Sequence, residues 1–158
     1  MSLDGRDLRN ALGHFATGVC VITTMTEDQS PLGMTANSFS SVSLDPPLVL
    51  WNLQNGSDVF DAFATPKYFA ISVLDSSQQD LSNLYAKKGD HLMEADHFSS
   101  GQYGSPVIRD ALITFECELE TTHVGGDHLI VIGRVLNVQP GSEGEPLVFF
   151  SGGYRELA

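Results

Sequence analysis

Five short polar side chains, Asn37, Ser38, Ser40, Ser41 and Ser43, fall between Gly33-Met34-Thr35-Ala36 and Asp45-Pro46-Pro47. Short hydroxyls and amides leave backbone N–H groups accessible and add small donors and acceptors of their own. Such a lining suits a flat ligand with heteroatoms along its edge, and the stretch is a candidate cofactor cradle. Serine, asparagine and aspartate are also ordinary turn formers, so a strand followed by a serine-rich turn is the plainer reading of the types alone.

The remaining reactive residue types are scattered. His14, His91, His97 and His123 show no metal-ligand spacing, and packing or solvated roles are their default. Cys20 and Cys117 stand alone inside apolar or alternating segments, which reads as buried free thiols and indicates neither a disulfide framework nor a metal site.

Twenty acidic against eight basic residues give a formal charge of −12. That field repels a phosphate backbone, and no Lys/Arg cluster relieves it locally, so no nucleic-acid partner is expected. A small anionic ligand would need backbone donors or a helix N-terminus to offset the repulsion. The chain has 158 residues, 42% of them hydrophobic, enough for one core and a single domain over 1–158. The opening MSLDGRD has no basic and apolar leader pattern, and no apolar run approaches the ~20 residues of a membrane helix. A cytoplasmic protein without membrane contact is expected.

The elements that must position the cradle follow from periodicity. Leu8, Leu12 and Phe15 fall at helical spacing from Asp4 to about Ala16, an amphipathic helix whose stripe is expected to pack on a core. Val19 to Thr26 is β-branched, and a polar turn at Glu27 to Pro31 joins it in a hairpin to the strand entering the cradle. Leu48 to Leu53 is a nearly continuous apolar run, read as a strand buried on both faces at the centre of the sheet. Ser57, after Asn55, is a candidate N-cap for a short helix through Val59, Phe60 and Phe63. A strand over Lys67 to Leu74 precedes a helix through Leu81, Leu84 and Tyr85, capped by Ser76 or Ser77. Asp90 to Pro106 is polar without a sustained period and reads as a partly ordered surface excursion. Strands return over Ala111 to Thr122 and Leu129 to Leu136, joined tightly at Gly125-Gly126-Asp127-His128, and end with Leu147 to Phe150. Six or seven strands with two or three short helices and no β-α alternation predict a mainly β fold, an antiparallel barrel decorated with helices.

The chain resembles the short-chain flavin reductase family, with its FMN-binding split β-barrel of Greek-key type, over nearly its whole length. The resemblance begins with Phe15-Ala16-Thr17-Gly18-Val19 and is densest in Gly33-Met34-Thr35-Ala36-Asn37-Ser38-Phe39 and Ser41-Val42-Ser43-Leu44-Asp45-Pro46-Pro47. It continues through Leu81-Ser82-Asn83, Phe115-Glu116-Cys117 and Gly126-Asp127-His128, and closes with Pro146 to Phe149 and Gly152-Gly153-Tyr154. It implies a homodimer binding FMN or FAD near the subunit interface. It also implies NAD(P)H-dependent flavin reductase activity: hydride passes from NADH or NADPH to flavin N5, and the reduced flavin supplies a partner monooxygenase. Such chemistry depends on positioning, which accounts for the lack of an evident acid–base pair.

Carried over by residue, the resemblance places Thr35, Ala36, Asn37 and Ser38 along the flavin ring edge, largely through backbone groups. Ser41, Val42 and Ser43 follow the ring and ribityl chain, Asn55 and Ser57 fall at the phosphate, and Tyr154 near the active site, where a core or dimer contact is the alternative. His128 becomes the candidate catalytic residue, positioning the nicotinamide or stabilising charge on reduced flavin. Ser72, where many relatives carry Asn, and Tyr85, replacing a common Phe, depart from the pattern and could alter the pocket. The absence of a basic pair for a 2′-phosphate leans to NADH. A flavin-retaining electron-transfer protein and a flavin carrier or sensor without reductase activity are the competing classes.

Overall fold

The computed structural model describes residues 3–158. In chain order its strands are β1 (Thr17–Gly18), β2 (Cys20–Met25), β3 (Pro31–Ala36), β4 (Ser40–Leu44), β5 (Pro47–Gln54), β6 (Tyr68–Val73), β7 (Phe98–Ser100), β8 (Pro106–Ile108), β9 (Ile113–Gly125), β10 (His128–Pro140), β11 (Val148–Phe150) and β12 (Gly153–Arg155). The helices are α1 (Gly5–Leu12), α2 (Phe60–Ala64) and α3 (Gln79–Ala86). The fold is mainly β, and every strand pair in it is antiparallel.

β-branched residues write the strands that matter most. In β2, Val21, Ile22, Thr23 and Thr24 are buried on both faces of the pleat, with β3 on one side and β6 on the other. Seven strands form one sheet in the order β3-β2-β6-β9-β10-β5-β4, whose edges β3 and β4 do not pair with each other, so the sheet is open. It is nonetheless curled. Leu32 of β3 and Val49, Trp51 and Leu53 of β5, from opposite ends of the order, share one core cluster with Ile22, Phe69 and Val131. Trp51 fills that core edge-on to Phe63 of α2, with ring centroids 5.9 Å apart. At Gly133, beside a register shift in β10, an added Cβ would lie 2.5 Å from the Phe69 ring, so the missing side chain lets that ring close the core. A second cluster, built on Val21, Leu74, Tyr85, Met93, Ile108 and Leu147, joins the outer face of the sheet to α3.

Several sequence expectations need correction. The run around Trp51 is the next-to-last strand rather than the centre, which is β9, and it alternates: Val49, Trp51 and Leu53 are buried while Leu48, Leu50 and Asn52 are half-exposed. An apolar run does not reveal that one face meets only partial cover. α1 stops at Gly13 and buries no residue; Leu12 and Phe15 are 64% and 79% exposed within the chain. Ser57 is not the cap of α2, which begins three residues later with Val59 at its N-cap; Ser57 instead accepts the Val59 N–H in a preceding turn. The turn leading into α3 is capped by Asp75, whose carboxylate accepts the Ser77 N–H at 2.9 Å, rather than by Ser76 or Ser77. The 90–106 segment is ordered, because Met93 is buried, β7 pairs with β8, and Gly33 donates its N–H to the His91 carbonyl while its own carbonyl lies 3.0 Å from His91 Nδ1. Its anchors are single residues, which leave no period to read.

Candidate functional site

β3 ends at Ala36, and the chain crosses to β4 through Asn37, Ser38 and Phe39. Three contacts hold this crossing. Thr35 Oγ1 donates to the Ser82 carbonyl of α3 at 2.7 Å, Ser38 Oγ accepts the Asn52 N–H at 2.9 Å, and Phe39 stacks on Phe115 at 5.5 Å. Beneath it, the β5–β10 register sets Asn52 opposite Ile130 and Gln54 opposite His128, so the four side chains share one face. The result is a cleft of about 470 Å³ walled by Thr35 to Ser38 and floored by Asn52, Gln54, Ile130 and His128. A second groove, about 810 Å³, runs between α1 and β11, with Arg9, Leu12, His14, Phe15 and Phe149 among its walls. The two meet at Asn37, Ser38 and Asn52, which line both. Both volumes lie in the range of small-molecule sites, roughly 300–1,000 Å³.

His128 is delivered by a two-residue hairpin turn. Gly126, at φ +66°, takes the first turn position that a side chain resists, and Gly125 pairs with His128 to close it. Asp127 Oδ1 lies 2.7 Å from His128 Nδ1. A carboxylate only accepts, so Nδ1 carries the proton and Nε2 is left for other contacts. That hydrogen bond, and then the charge of the ring, hold the Asp127 carboxyl below the usual carboxylate range. Asn55 fastens the same turn, its N–H donating to the Asp127 carbonyl at 3.0 Å and its amide reaching the Gly126 carbonyl at 3.5 Å.

Among the described residues, three buried side-chain polar atoms lack any partner: Thr17 Oγ1, Trp51 Nε1 and Asn52 Oδ1. Thr17 lines the groove and Asn52 lines both spaces, whereas Trp51 borders the cleft with its ring on the core face of β5 against Phe63. An unsatisfied buried group costs about 1–3 kcal/mol, and such groups cluster where a ligand or water completes the set. A hollow of about 890 Å³ at the far end of the β2–β3 hairpin holds none of them. Its walls carry Glu27, Asp28 and Asp61 against Lys67 alone, a poor field for a phosphorylated ligand.

The structure therefore brings Thr35, Ala36, Asn37, Ser38 and His128 together and leaves the other sequence candidates outside the cleft lining. Ser41, Val42 and Ser43 lie along the edge strand β4. Asn55 supports the His128 turn, and Ser57 sits in the turn before α2. Tyr154 packs on Phe149 in the second cluster, and its hydroxyl lies 2.6 Å from Ser82 Oγ and donates to Asn83 Oδ1. Ser72 and Tyr85 are tied to Thr114 and His97, away from both clefts. Asn52, Gln54 and Arg9 join the site from outside any sequence motif. The alternation of polar Asn52 and Gln54 at the end of an apolar run is the signal that marks them.

Comparison with known proteins gives this geometry its context. Residues 12–158 match the family model described as flavin reductase like domain. The chain belongs to the flavin reductase-like family. Over 155 residues it is 43% identical to the FMN reductase (NADH) SmoA of Agrobacterium fabrum, covering 98% of this chain and 87% of that protein. It is 42% identical to the reductase component of a flavin-dependent trigonelline monooxygenase of Acinetobacter baylyi, of which it spans only 43%. Among solved structures, the NADH:FAD oxidoreductase SgcE6 of Streptomyces globisporus, in complex with NAD and FAD fragments, superposes with a TM-score of 0.91 at 33% identity, over 100% of this chain and 97% of that one. For a member of the flavin reductase-like family, the lining fits a flavin. The cleft offers the amides of Asn37, Asn52 and Gln54 and the backbone of Thr35 to Ser38 to a ring edged with nitrogens and carbonyls, and the unpartnered Asn52 Oδ1 is a group that such an edge would satisfy.

Proposed function

We propose that this chain is an NADH-dependent flavin reductase that reduces FMN or FAD and supplies the product to a flavin-dependent monooxygenase. The observation that carries the reading is the meeting of two clefts at Asn37, Ser38 and Asn52, with the unpartnered Asn52 Oδ1 at the junction and His128 on the floor. Hydride transfer needs two flat partners held face to face, and two joined clefts provide for two ligands. A bound flavin supplies the electron-accepting ring. The protein's own part is to hold, orient and exclude.

Thr35 to Ser38 line the ring edge through their backbone, stiffened by the α3 and β5 contacts. His128, with Nδ1 tied to Asp127, directs Nε2 toward the ligands and offers a polar contact at the reacting edge. Arg9, which forms no ion pair among the described residues, is the one Lys or Arg in either lining and answers a phosphate against the overall −12. A lone cation offers nothing further for a 2′-phosphate, which supports NADH over NADPH. Ser57, Ser41, Val42, Ser43 and Tyr154 stay in the proposal only as residues around the site.

We read the open, curled sheet as a split β-barrel forming a single domain. Leu12, Phe15 and Leu44, at 64%, 79% and 96% exposure, support a homodimer that covers them. Among the described residues no helix is long and apolar enough to cross a membrane, in keeping with a cytoplasmic enzyme. The deciding experiment is anaerobic NADH titration with FMN and FAD in parallel. Bleaching of added free flavin in catalytic excess over protein supports the reductase, whereas reduction limited to one protein-bound equivalent favours an electron-transfer protein.

A further inference from the structure

Asn52 carries the least explained side chain in the site. Its backbone faces Ser38: the N–H donates to Ser38 Oγ at 2.9 Å and the carbonyl accepts from the same hydroxyl at 3.5 Å. Among the described residues its side-chain amide has no hydrogen-bond partner, and Oδ1 is buried. It also lines both the cleft and the groove. Asn37 and Ser38 share that position, but Ser38 Oγ already has its partner in β5.

We infer that Asn52 is a specificity-determining residue that reads a ligand edge presenting a carbonyl beside an N–H. A primary amide offers one acceptor and two donors in a plane, so it can form two parallel hydrogen bonds with a C(=O)–NH group, and Oδ1 requires the N–H half. Within the reductase reading, on which this inference rests, two ligands carry that edge: the pyrimidine imide of a flavin and the carboxamide of a nicotinamide. A site built to pair with an N–H discriminates sharply against an analogue that lacks it, because the buried acceptor is then left unpaired. Trp51, the single tryptophan, precedes Asn52 on β5 with its ring on the core face behind the site, which makes it a reporter of ligand binding.

The test couples analogues to substitution. Apo protein is titrated with FMN and with 3-methyl-FMN, whose imide N–H is blocked, following flavin fluorescence. It is titrated separately with NAD and with its 3-acetylpyridine analogue, whose carboxamide has become an acetyl group, following Trp51 emission. Asn52→Ala and Asn52→Leu are run alongside, with melting curves to establish that both fold. One analogue is expected to bind the wild type at least tenfold more weakly than its parent, with the ratio falling to about one in both variants. Coupling in the flavin arm assigns Asn52 to the imide, and coupling in the nucleotide arm assigns it to the carboxamide. Analogue ratios that stay the same in wild type and variants overturn the inference while leaving the reductase intact. A wild type that binds neither flavin nor nucleotide overturns the reductase reading and this inference with it.

Discussion

Gln54 on β5 stands directly opposite His128 on β10 in the antiparallel ladder. That pairing, with the two-residue turn behind it, sets the imidazole on the floor of the cleft rather than in the core, and its side chain is 40% exposed. A residue so placed can be removed without opening a cavity. His128→Ala is expected to lower kcat/KM for NADH about tenfold, equivalent to about 1.4 kcal/mol of transition-state stabilisation, with an unchanged melting midpoint and unchanged affinity for oxidised flavin. Stopped-flow reduction beside a melting curve checks it; a normal reduction rate with a lowered midpoint would make the residue structural.

Asn37, exposed at the crossing between β3 and β4, lines both clefts. Asn37→Asp exchanges an amide donor for a carboxylate facing an electron-rich ring edge. Flavin affinity is expected to fall five- to tenfold, on the order of 1 kcal/mol for one hydrogen bond, as measured by fluorescence titration. An unaltered dissociation constant removes Asn37 from the site.

Arg9 supplies a local positive charge in a strongly acidic protein. Arg9→Ala is therefore expected to weaken FMN several-fold while leaving riboflavin, which has no phosphate, unaffected. The FMN preference of the wild type should also shrink as salt rises from 50 mM to 0.5 M, since an exposed ion pair is screened over about a Debye length. Equal losses for the two flavins would assign Arg9 to packing.

Much of this arrangement was legible in the sequence, and the reasons differ by element. The β2–β3 hairpin and the β9–β10 turn announce themselves through β-branched runs flanking polar or glycine turns, which are local signals. Thr35 to Ser38 and His128 stand in ordered motifs, and their proposed roles rest on those motifs. What stayed hidden is set by tertiary contact: which face of β5 is covered, that Asp75 rather than a serine caps the turn, and that Arg9 reaches the groove from an element far away in the chain. Tyr154 shows the same limit, because its hydroxyl is satisfied by Ser82 and Asn83, more than seventy residues away in both cases.

Asp75 should dominate one part of the acid limb. Its carboxyl is held below the usual carboxylate range by the Ser77 N–H first, then by the Ser77 and Ser142 hydroxyls. A depressed folded value means that the carboxylate's contribution is present above the unfolded value and is lost as pH falls through the folded one. Asp75→Ala is expected to cost about 0.5–2 kcal/mol at neutral pH, as for other caps, with the gap to wild type closing below the ordinary aspartate range. Denaturant midpoints across pH 2–7 would show this; a gap independent of pH would assign the loss to something other than the charge.

A dimer is the expected state in solution. Leu12→Glu should shift sedimentation toward monomer at micromolar concentration and reduce flavin affinity if the second copy completes the site. A wild type that is monomeric and fully active would exclude the dimer as a requirement.

α1 forms one wall of the groove yet buries nothing, and the turn behind it is held by the Ser151 N–H donating to the Gly13 carbonyl. Elements with few buried contacts open at far lower cost than the core strands. In amide hydrogen exchange, this wall should exchange orders of magnitude faster than β2 or β9 in the free chain. Where no second copy covers α1, transient fraying of its eight residues would open the groove with the seven-stranded sheet undisturbed. Bound nucleotide or flavin would appear as slowed exchange in those amides before any change is visible in the melting of the core.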